Sequence, residues 1–194
     1  GEVGQIEMVV ISNRDPEPAR FEYLKTSGGQ FRDQMIHDFD AARWLLGEEL
    51  VEIAAMGSIM VVPEISSIND VDTSMVVMKS ASGALCHINN SRRTTYGFDQ
   101  RVEVFGSKGM VLMDNRRLTT VSRYSDAGTL RDPLAYWSKE RYSEAYQAEF
   151  ADFIDAVESG RQPAVSFEDG RRALILANSA LESLQKGCMV KVAY

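Results

Sequence analysis

The stretch GGQFRDQMIHDFDAARWLLG (residues 28–47) contains one of only two histidines in the 194-residue chain. Asp33 lies four residues before His37, and Asp40 lies three residues after it. Spacing of apolar residues predicts a single helix from about Phe31 to Leu46, ended by Gly47. Residues three or four apart are neighbours on a helix surface, so the two aspartates and the histidine share one face.

The opposite face of this predicted helix carries an apolar stripe made of Met35, Phe39, Ala42 and Leu46. Ser27 and Gln30 have capping-box spacing at its start. Two interpretations of the Asp33–His37 pair stay open on spacing alone. It is either a solvated helix face worth a few tenths of a kcal/mol, or a general base oriented and made more basic by a carboxylate.

The rest of the chain predicts one α+β domain, a largely antiparallel open sheet with helices on one face. An alternating strand, QIEMVVIS, opens the chain, and most of the segment from residue 51 to 123 is strand-like, with hairpin turns at SASG and SKG. A helix ending at Gly160 follows, then a helix capped by Ser166 and Asp169 and ended by Gly187. CMVKVAY predicts a last short strand. The predicted strands include RLTTVSR (residues 117–123).

Composition excludes several classes of protein. The net charge is −7 and 25% of residues are charged, which disfavours a nucleic-acid binder, because such proteins present basic faces to phosphate. The arginine pairs at 92–93, 116–117 and 171–172 are interpreted as solvated faces or interface ion pairs. No apolar run is long enough for a membrane span and no secretory leader opens the chain, so we expect a cytoplasmic protein with two free cysteines.

Most other chemical motifs are missing. There is no zinc-type spacing of histidine and cysteine, so we expect no metal site. There is no GxGxxG after a strand, so nothing predicts a dinucleotide-binding fold within these residues. His87 lies in an alternating strand without an acidic partner, and a structural role is the better interpretation.

Four blocks of sequence carry a resemblance to a known family. The stretch 28–47, with its D-x-x-x-H-D-x-D pattern, resembles the signature helix of the Gfo/Idh/MocA oxidoreductases in the form found in inositol 2-dehydrogenases. ISNRDP (residues 11–16) resembles a strand end that lines the sugar pocket of the family. NNSRRTTYGFDQRVEVFGSKGMV (residues 89–111) resembles its long sheet strands, and residues 149–174 resemble its C-terminal helices.

The resemblance implies an enzymatic role for the polar residues. His37 would be the base that takes a proton from a polyol hydroxyl, and Asp33 would orient His37 and bind a neighbouring hydroxyl. The resemblance also implies a substrate-facing position for Asn13, Asp15, Asp40 and Tyr96. The family often has tyrosine where this chain has Phe98, so a substrate contact at that position is in doubt.

The resemblance further implies that residues 1–194 are the C-terminal substrate-binding and oligomerisation domain of a larger enzyme. NAD would be bound mainly by an N-terminal domain outside this chain, and the fragment alone would be inactive. The implied reaction is oxidation of myo-inositol to 2-keto-myo-inositol. Open alternatives are another inositol isomer, an aldose, or a non-catalytic oligomerisation module. The expected partner is a second copy of the chain, in a homodimer or homotetramer formed through the open sheet face.

Overall fold

The fold is built on one seven-stranded sheet, and a computed structural model describes it for all residues 1–194. The strands of this sheet are β1 Ile6–Arg14, β2 Leu50–Ser58, β3 Thr73–Ser80, β4 Leu85–Ser91, β5 Asp99–Gly106, β6 Gly109–Met113 and β9 Val190–Lys191. They lie in the order β6-β5-β1-β4-β3-β2-β9. Only β1 and β4 are parallel; the other neighbours are antiparallel. The predicted α+β class is therefore confirmed.

The helices occupy one side of the sheet. They are α1 Phe21–Leu24, α2 Gln30–Asp33, α3 Ile36–Leu46, α4 Ser138–Arg141, α5 Ser143–Ser159 and α6 Phe167–Lys186, with a 3-10 helix at Pro63–Ile68. Helices α3 and α6 pack on the sheet and on each other. The shared core holds alternate strand residues such as Val9, Ile11 and Ile88 against Phe39 and Leu176. Every second residue of these strands and one side of each helix thus contribute to a single apolar layer.

The predicted helix over residues 31–46 is two helices. The chain leaves regular α-helix at Gln34 and Met35, where the amide nitrogens of both residues donate to the carbonyl of Gln30. The Gln34 side chain donates to the carbonyl of Ser91 at 3.1 Å. The expected capping box at Ser27 is also wrong, because Gly29 precedes the helix and the Asp70 carboxylate accepts the Gln30 amide hydrogen at 2.9 Å.

The two C-terminal helices begin and end where the sequence predicts. Ser166 and Asp169 form the capping box of α6, and Gly160 and Gly187 end α5 and α6 in the left-handed conformation. The apolar side of α5 is nevertheless exposed: Ala156 is its one buried residue, and Phe150 is 67% exposed.

The segment between β6 and α4 differs from the prediction. RLTTVSR is irregular over most of its length, with an isolated bridge between Arg117 and Leu134. A separate hairpin follows, formed by β7 Ser122–Ser125 and β8 Gly128–Arg131. The second strand of this hairpin lies beyond residue 123, where the predicted run of strands ends. Every residue of β8 is exposed, so no core-facing alternation could mark it as a strand.

The second face of the main sheet has no helices over it. Exposed apolar side chains from six strands lie there, namely Met8, Met56, Met75, Val77, Leu85, Phe105, Met110 and Leu112. We call this surface the open face. No helix in the structure combines the length and the apolar character that a membrane crossing needs.

Candidate active site

The candidate site lies where strands β1 and β4 end side by side. Because the two strands are parallel, Asn13 pairs with Asn90 and both strands leave the sheet at the same edge. Asp15 directly follows β1 and donates its amide hydrogen to the carbonyl of Ser91 at 3.1 Å. On the other side of β1, the antiparallel strand β5 places Gln100 opposite Asn13. A row of three amide side chains therefore crosses the helix-facing side of the sheet.

Helix α3 places Asp38 over this row of amides. Asp38 is fully buried. The amide nitrogen of Asn13 lies 3.1 Å from each carboxylate oxygen, that of Asn90 lies 2.9 Å from one oxygen, and that of Gln100 lies 3.2 Å from the other. Burial raises the pKa of Asp38 to about 7, against the effect of the three hydrogen bonds. The carboxylate thus anchors the first turn of α3 to three strands.

Asp33 makes contacts other than the one expected from its spacing. Its Oδ1 accepts a hydrogen bond from the hydroxyl of Tyr23 at 2.6 Å, and its Oδ2 lies 2.9 Å from Nη1 of Arg92. No hydrogen bond or ion pair joins it to His37. The helix break after Asp33 interrupts the regular four-residue spacing on which that expected contact depends.

His37 is exposed, and its imidazole makes no hydrogen bond in the structure. Asp40, on the same helix, is half-buried and lies 3.4 Å from Nη1 of Arg43. Burial raises the pKa of Asp40, while the charges of Arg43 and His37 lower it. His37 and Asp40 therefore lie near each other, as their spacing predicts, and the imidazole is accessible from outside the domain.

Asp15 is a third carboxylate near Asp33 and Asp38. Burial raises its pKa to about 6; the positive charge of Arg92 lowers it and the negative charge of Asp33 raises it. Asp15, Asp33 and Arg92 are thus electrostatic neighbours. Carboxylate and amide groups that lie close together suit a ligand with many hydroxyl donors.

Tyr96 makes its contacts elsewhere. Its hydroxyl donates to Asp99 at 2.7 Å, in a cluster on the open face with Arg14, Arg101 and Asn115. Burial raises the pKa of Asp99, but the hydrogen bonds of this cluster more than offset it and leave the pKa below its usual value. The structure therefore does not bring Tyr96 into contact with Asp15, Asp33 or Asp38.

Phe98 is buried, and its ring lies edge to face with that of Tyr142, with centroids 5.7 Å apart. Burial raises the pKa of Tyr142, and Asp38 and Asp15 add to the increase. The Tyr142 hydroxyl makes no hydrogen bond within the chain. Tyr142, at the start of α5, therefore lies near Asp38 and Asp15.

Sequence reasoning did not identify six of these residues: Tyr23, Asp38, Asn90, Arg92, Gln100 and Tyr142. A signal existed for the amides, because Asn13 and Asn90 continue the core-facing alternation of Val9–Ile11 and Cys86–Ile88. Arg92 corrects the interpretation of the arginine pairs as solvated faces or interface ion pairs, since its side chain is 2% exposed and pairs within the domain. Its neighbour Arg93 is exposed.

The model for the GFO/IDH/MocA C-terminal domain matches residues 1–112 of the chain. The chain belongs to the GFO/IDH/MocA family. It is 47% identical over 192 residues to the myo-inositol 2-dehydrogenase of Thermotoga maritima, a match that covers 99% of this chain and 58% of the relative. The chain therefore spans a little over half the length of the curated relatives it matches.

Solved structures agree with this assignment of the GFO/IDH/MocA C-terminal domain. A crystal structure of a myo-inositol dehydrogenase from Corynebacterium glutamicum superposes with a TM-score of 0.95 at 44% identity, covering all of this chain and 58% of that one. The scyllo-inositol dehydrogenase of Lactobacillus casei, solved with bound NAD(H) and scyllo-inositol, superposes with a TM-score of 0.90 at 25% identity, with coverage of 100% and 58%.

Proposed function

We propose that this chain is the substrate-binding and catalytic-base domain of an NAD-dependent inositol dehydrogenase that oxidises myo-inositol to 2-keto-myo-inositol. The observation that carries the proposal is the accessible imidazole of His37 with Asp40 as its neighbour, on a fold shared with inositol dehydrogenases. Another inositol isomer or an aldose is the alternative substrate, because hydroxyl acceptors alone do not select an isomer.

His37 would take the proton from the hydroxyl that is oxidised. An imidazole is suited to proton transfer near neutral pH. Its freedom from internal hydrogen bonds leaves a nitrogen available for a substrate hydroxyl. Asp40, close to His37, would accept a hydrogen bond from a second hydroxyl.

Asp33, Asp15 and Asn13 would hold the remaining hydroxyls. Asp33 is oriented by Tyr23 and Arg92, which supports a role in hydroxyl binding. The orienting role towards His37 has no hydrogen bond to support it in this conformation. Asn13 is oriented by Asp38, which takes the amide hydrogens and so directs the Asn13 carbonyl oxygen away from itself. We do not include Tyr96 among the hydroxyl-binding residues, because its hydroxyl is bound to Asp99.

The residues of this chain do not fit the phosphates of NAD. The one glycine pair before a helix, Gly28–Gly29, leads to the Gln30 amide, and the Asp70 carboxylate already accepts that hydrogen. A carboxylate at this position would repel a phosphate. We therefore propose that an N-terminal domain outside these 194 residues binds NAD, the hydride acceptor, and that this chain alone does not turn over substrate.

The open face supports a further part of the proposal, a homodimer or homotetramer. Large apolar side chains in adjacent strands form a continuous exposed patch, and such patches commonly mark protein interfaces. A second copy of the sheet would cover it. The two free cysteines, Cys86 and Cys188, suit a reducing compartment, and a cytoplasmic location completes the proposal.

The test is dehydrogenase activity of the full-length protein, followed by NADH absorbance against a panel of inositols and aldoses. We expect turnover of myo-inositol, and we expect His37→Ala to lower kcat on the order of a hundredfold or more through loss of the general base. His87→Ala is the matched control, because the only other histidine lies in β4 away from the site and its loss should leave kcat unchanged.

Two outcomes would contradict the proposal. No turnover of any polyol by a folded, NAD-binding protein would reject the substrate class. A kcat that is unchanged in His37→Ala, with normal turnover by the wild type, would reject His37 as the base while leaving the reaction in place.

A further inference from the structure

Arg92 has an unusual position for an arginine. Its side chain is the largest fully buried one in the chain. Nη1 donates to Asp33 at 2.9 Å, and Nη2 lies 4.0 Å from an oxygen of Asp70. Nε and Nη2 have no hydrogen-bond partner. A guanidinium removed from water to this extent is held in place by charge rather than by solvent.

The two carboxylates near Arg92 lie at opposite ends of helix α2. Asp33 is the last residue of this helix, and Asp70 accepts the amide hydrogen of Gln30, its first residue, at 2.9 Å. A helix of four residues has too few internal hydrogen bonds to be stable alone. One buried cation therefore attracts an anion at each end of the short helix and fixes it against the sheet.

Arg92 also balances charge in the group of carboxylates. Asp33 lies close enough to Asp15 to raise the pKa of Asp15, and the positive charge of Arg92 opposes this effect. Tyr23 contributes a hydrogen bond to Asp33 but no charge. Without the guanidinium, Asp15, Asp33 and Asp70 would have no cation between them.

We infer that Arg92 is a positioning residue of the candidate active site, which fixes helix α2 and holds Asp33 as an oriented acceptor for a substrate hydroxyl. The inference rests on the proposed function in so far as Asp33 binds substrate. Arg92 itself contacts no substrate in this account, because its side chain is only 2% exposed and Nη1 donates to Asp33.

The test compares Arg92→Met and Arg92→Lys with wild type in the full-length enzyme. Arg92→Met removes the charge, and Arg92→Lys keeps a charge but loses the planar, multiply donating group. Arg93→Met is the matched control, because Arg93 is the exposed neighbour in the same segment. The measurements are kcat and KM from pH 5 to 9, with the melting temperature of each variant.

We expect Arg92→Met to lower kcat/KM by roughly tenfold to a hundredfold, the usual effect of a misplaced substrate-binding group. The acid limb of its pH profile should move to higher pH, because Asp15 loses the nearby positive charge that lowers its pKa. Arg92→Lys should lower kcat/KM less and leave the acid limb near that of the wild type. Arg93→Met should change neither quantity.

A purely structural role predicts something different: a lower melting temperature, with kcat/KM of the folded variants and the acid limb both unchanged. That result would overturn the inference. If Arg92→Met does not fold, Arg92→Lys alone decides, because an unchanged kcat/KM in that variant would equally exclude a positioning role.

Failure of the proposed function can be recognised separately. If the wild type turns over no polyol, the carboxyl groups of Asp15 and Asp33 can still be titrated by carbon-13 NMR in wild type, Arg92→Lys and Arg92→Met. We expect Arg92→Met to raise the pKa of Asp15 above the wild-type value. Identical titrations in all three proteins would overturn the role of Arg92 independently of any activity.

Discussion

Asp38 is a buried carboxylate whose neighbours are amides and not cations. Three amide nitrogens point at it, while the side-chain oxygens of Asn13, Asn90 and Gln100 have no partner. An ionised carboxylate can only accept hydrogen bonds, so it forces all three amides to present their nitrogens. A protonated carboxyl could donate to one of the unpartnered oxygens if that amide turned over. Protonation of Asp38 therefore removes the cost of burying its charge and gives one unpartnered amide oxygen a hydrogen-bond donor.

The first stability prediction follows from this environment. The pKa of Asp38 is raised to about 7 by burial, whereas an unfolded aspartate titrates near 4. Between these values the folded chain holds the extra proton, so the contribution of Asp38 to stability falls as pH rises. Each unit of pKa difference corresponds to about 1.4 kcal/mol. We expect wild type to lose stability relative to Asp38→Asn as the pH rises from about 4 to about 7, and to lose no more above that range.

Urea unfolding of the two proteins across this range measures the effect. Asp15 and His87 also titrate with shifted pKa values, the former raised and the latter lowered by burial, but both are present in each protein. The difference between the two curves therefore isolates Asp38. Parallel curves would mean that Asp38 ionises as freely in the folded chain as in the unfolded one.

At the scale of elements, helix α2 depends on a glycine. Gly29 has φ +87° and ψ 167°, a region that other residues rarely adopt. A Cβ built there would lie 2.9 Å from Oδ1 of Asp70, the oxygen that accepts the Gln30 amide hydrogen. The backbone and the capping carboxylate both require the hydrogen that glycine has in place of a side chain.

We therefore expect Gly29→Ala to destabilise the chain by roughly 1–3 kcal/mol, the usual cost of such a backbone conformation. Gly170→Ala is the control with the opposite sign: Gly170 lies inside α6 with ordinary helical geometry and free space, so alanine should stabilise by roughly 0.5–1 kcal/mol. Thermal unfolding of both variants provides the measurement. A Gly29→Ala variant as stable as wild type would show that the Asp70 cap is dispensable.

Elements with local signals could be predicted from the sequence. The capping box at Ser166, the left-handed glycines at 160 and 187, and the alternation of β3 to β5 all depend on neighbours in the chain. The break after Asp33 could not, because the side chains of Gln30 and Gln34 bond to carbonyls of Asp72 and Ser91, far away in sequence.

The candidate site likewise combines residues that local sequence signals identify with contacts that only the fold determines. Strand alternation places Asn13 on the core side, and the D-x-x-x-H spacing identifies Asp33 and His37 as candidates. What the spacing cannot show is that Asp33 faces Arg92 rather than His37, since that depends on the register of β1 with β4 and on how α2 packs.

At the scale of the molecule, the open face tests the proposed assembly. Val77 lies in β3, near the middle of the sheet, and is half-exposed. We expect Val77→Lys in the full-length protein to give a smaller species in sedimentation, because a buried, unpaired charge destabilises an interface. Its melting temperature should fall by no more than the stabilisation that association with a second copy provides.

Val157→Lys is the control for this experiment. Val157 is an equally apolar, exposed residue, but it lies on α5 and not on the open face. Its sedimentation should match that of the wild type. A wild type that is already a monomer, or a Val77→Lys protein of unchanged mass, would contradict assembly through this face.

Strand β1 precedes the other six strands of its sheet in sequence but lies in the interior of that sheet, between β4 and β5. Both of its partners are synthesised long after it, so a nascent chain emerging from the ribosome carries β1 with two unpaired edges. The row formed by Asn13, Asn90 and Gln100 cannot assemble until β5 has emerged. Long-range pairing of this kind is slow, and it leaves apolar strand surface unprotected during synthesis. The position of Asn13, which would bind a polyol, thus depends on pairings that become available only once β4 and β5 have been made.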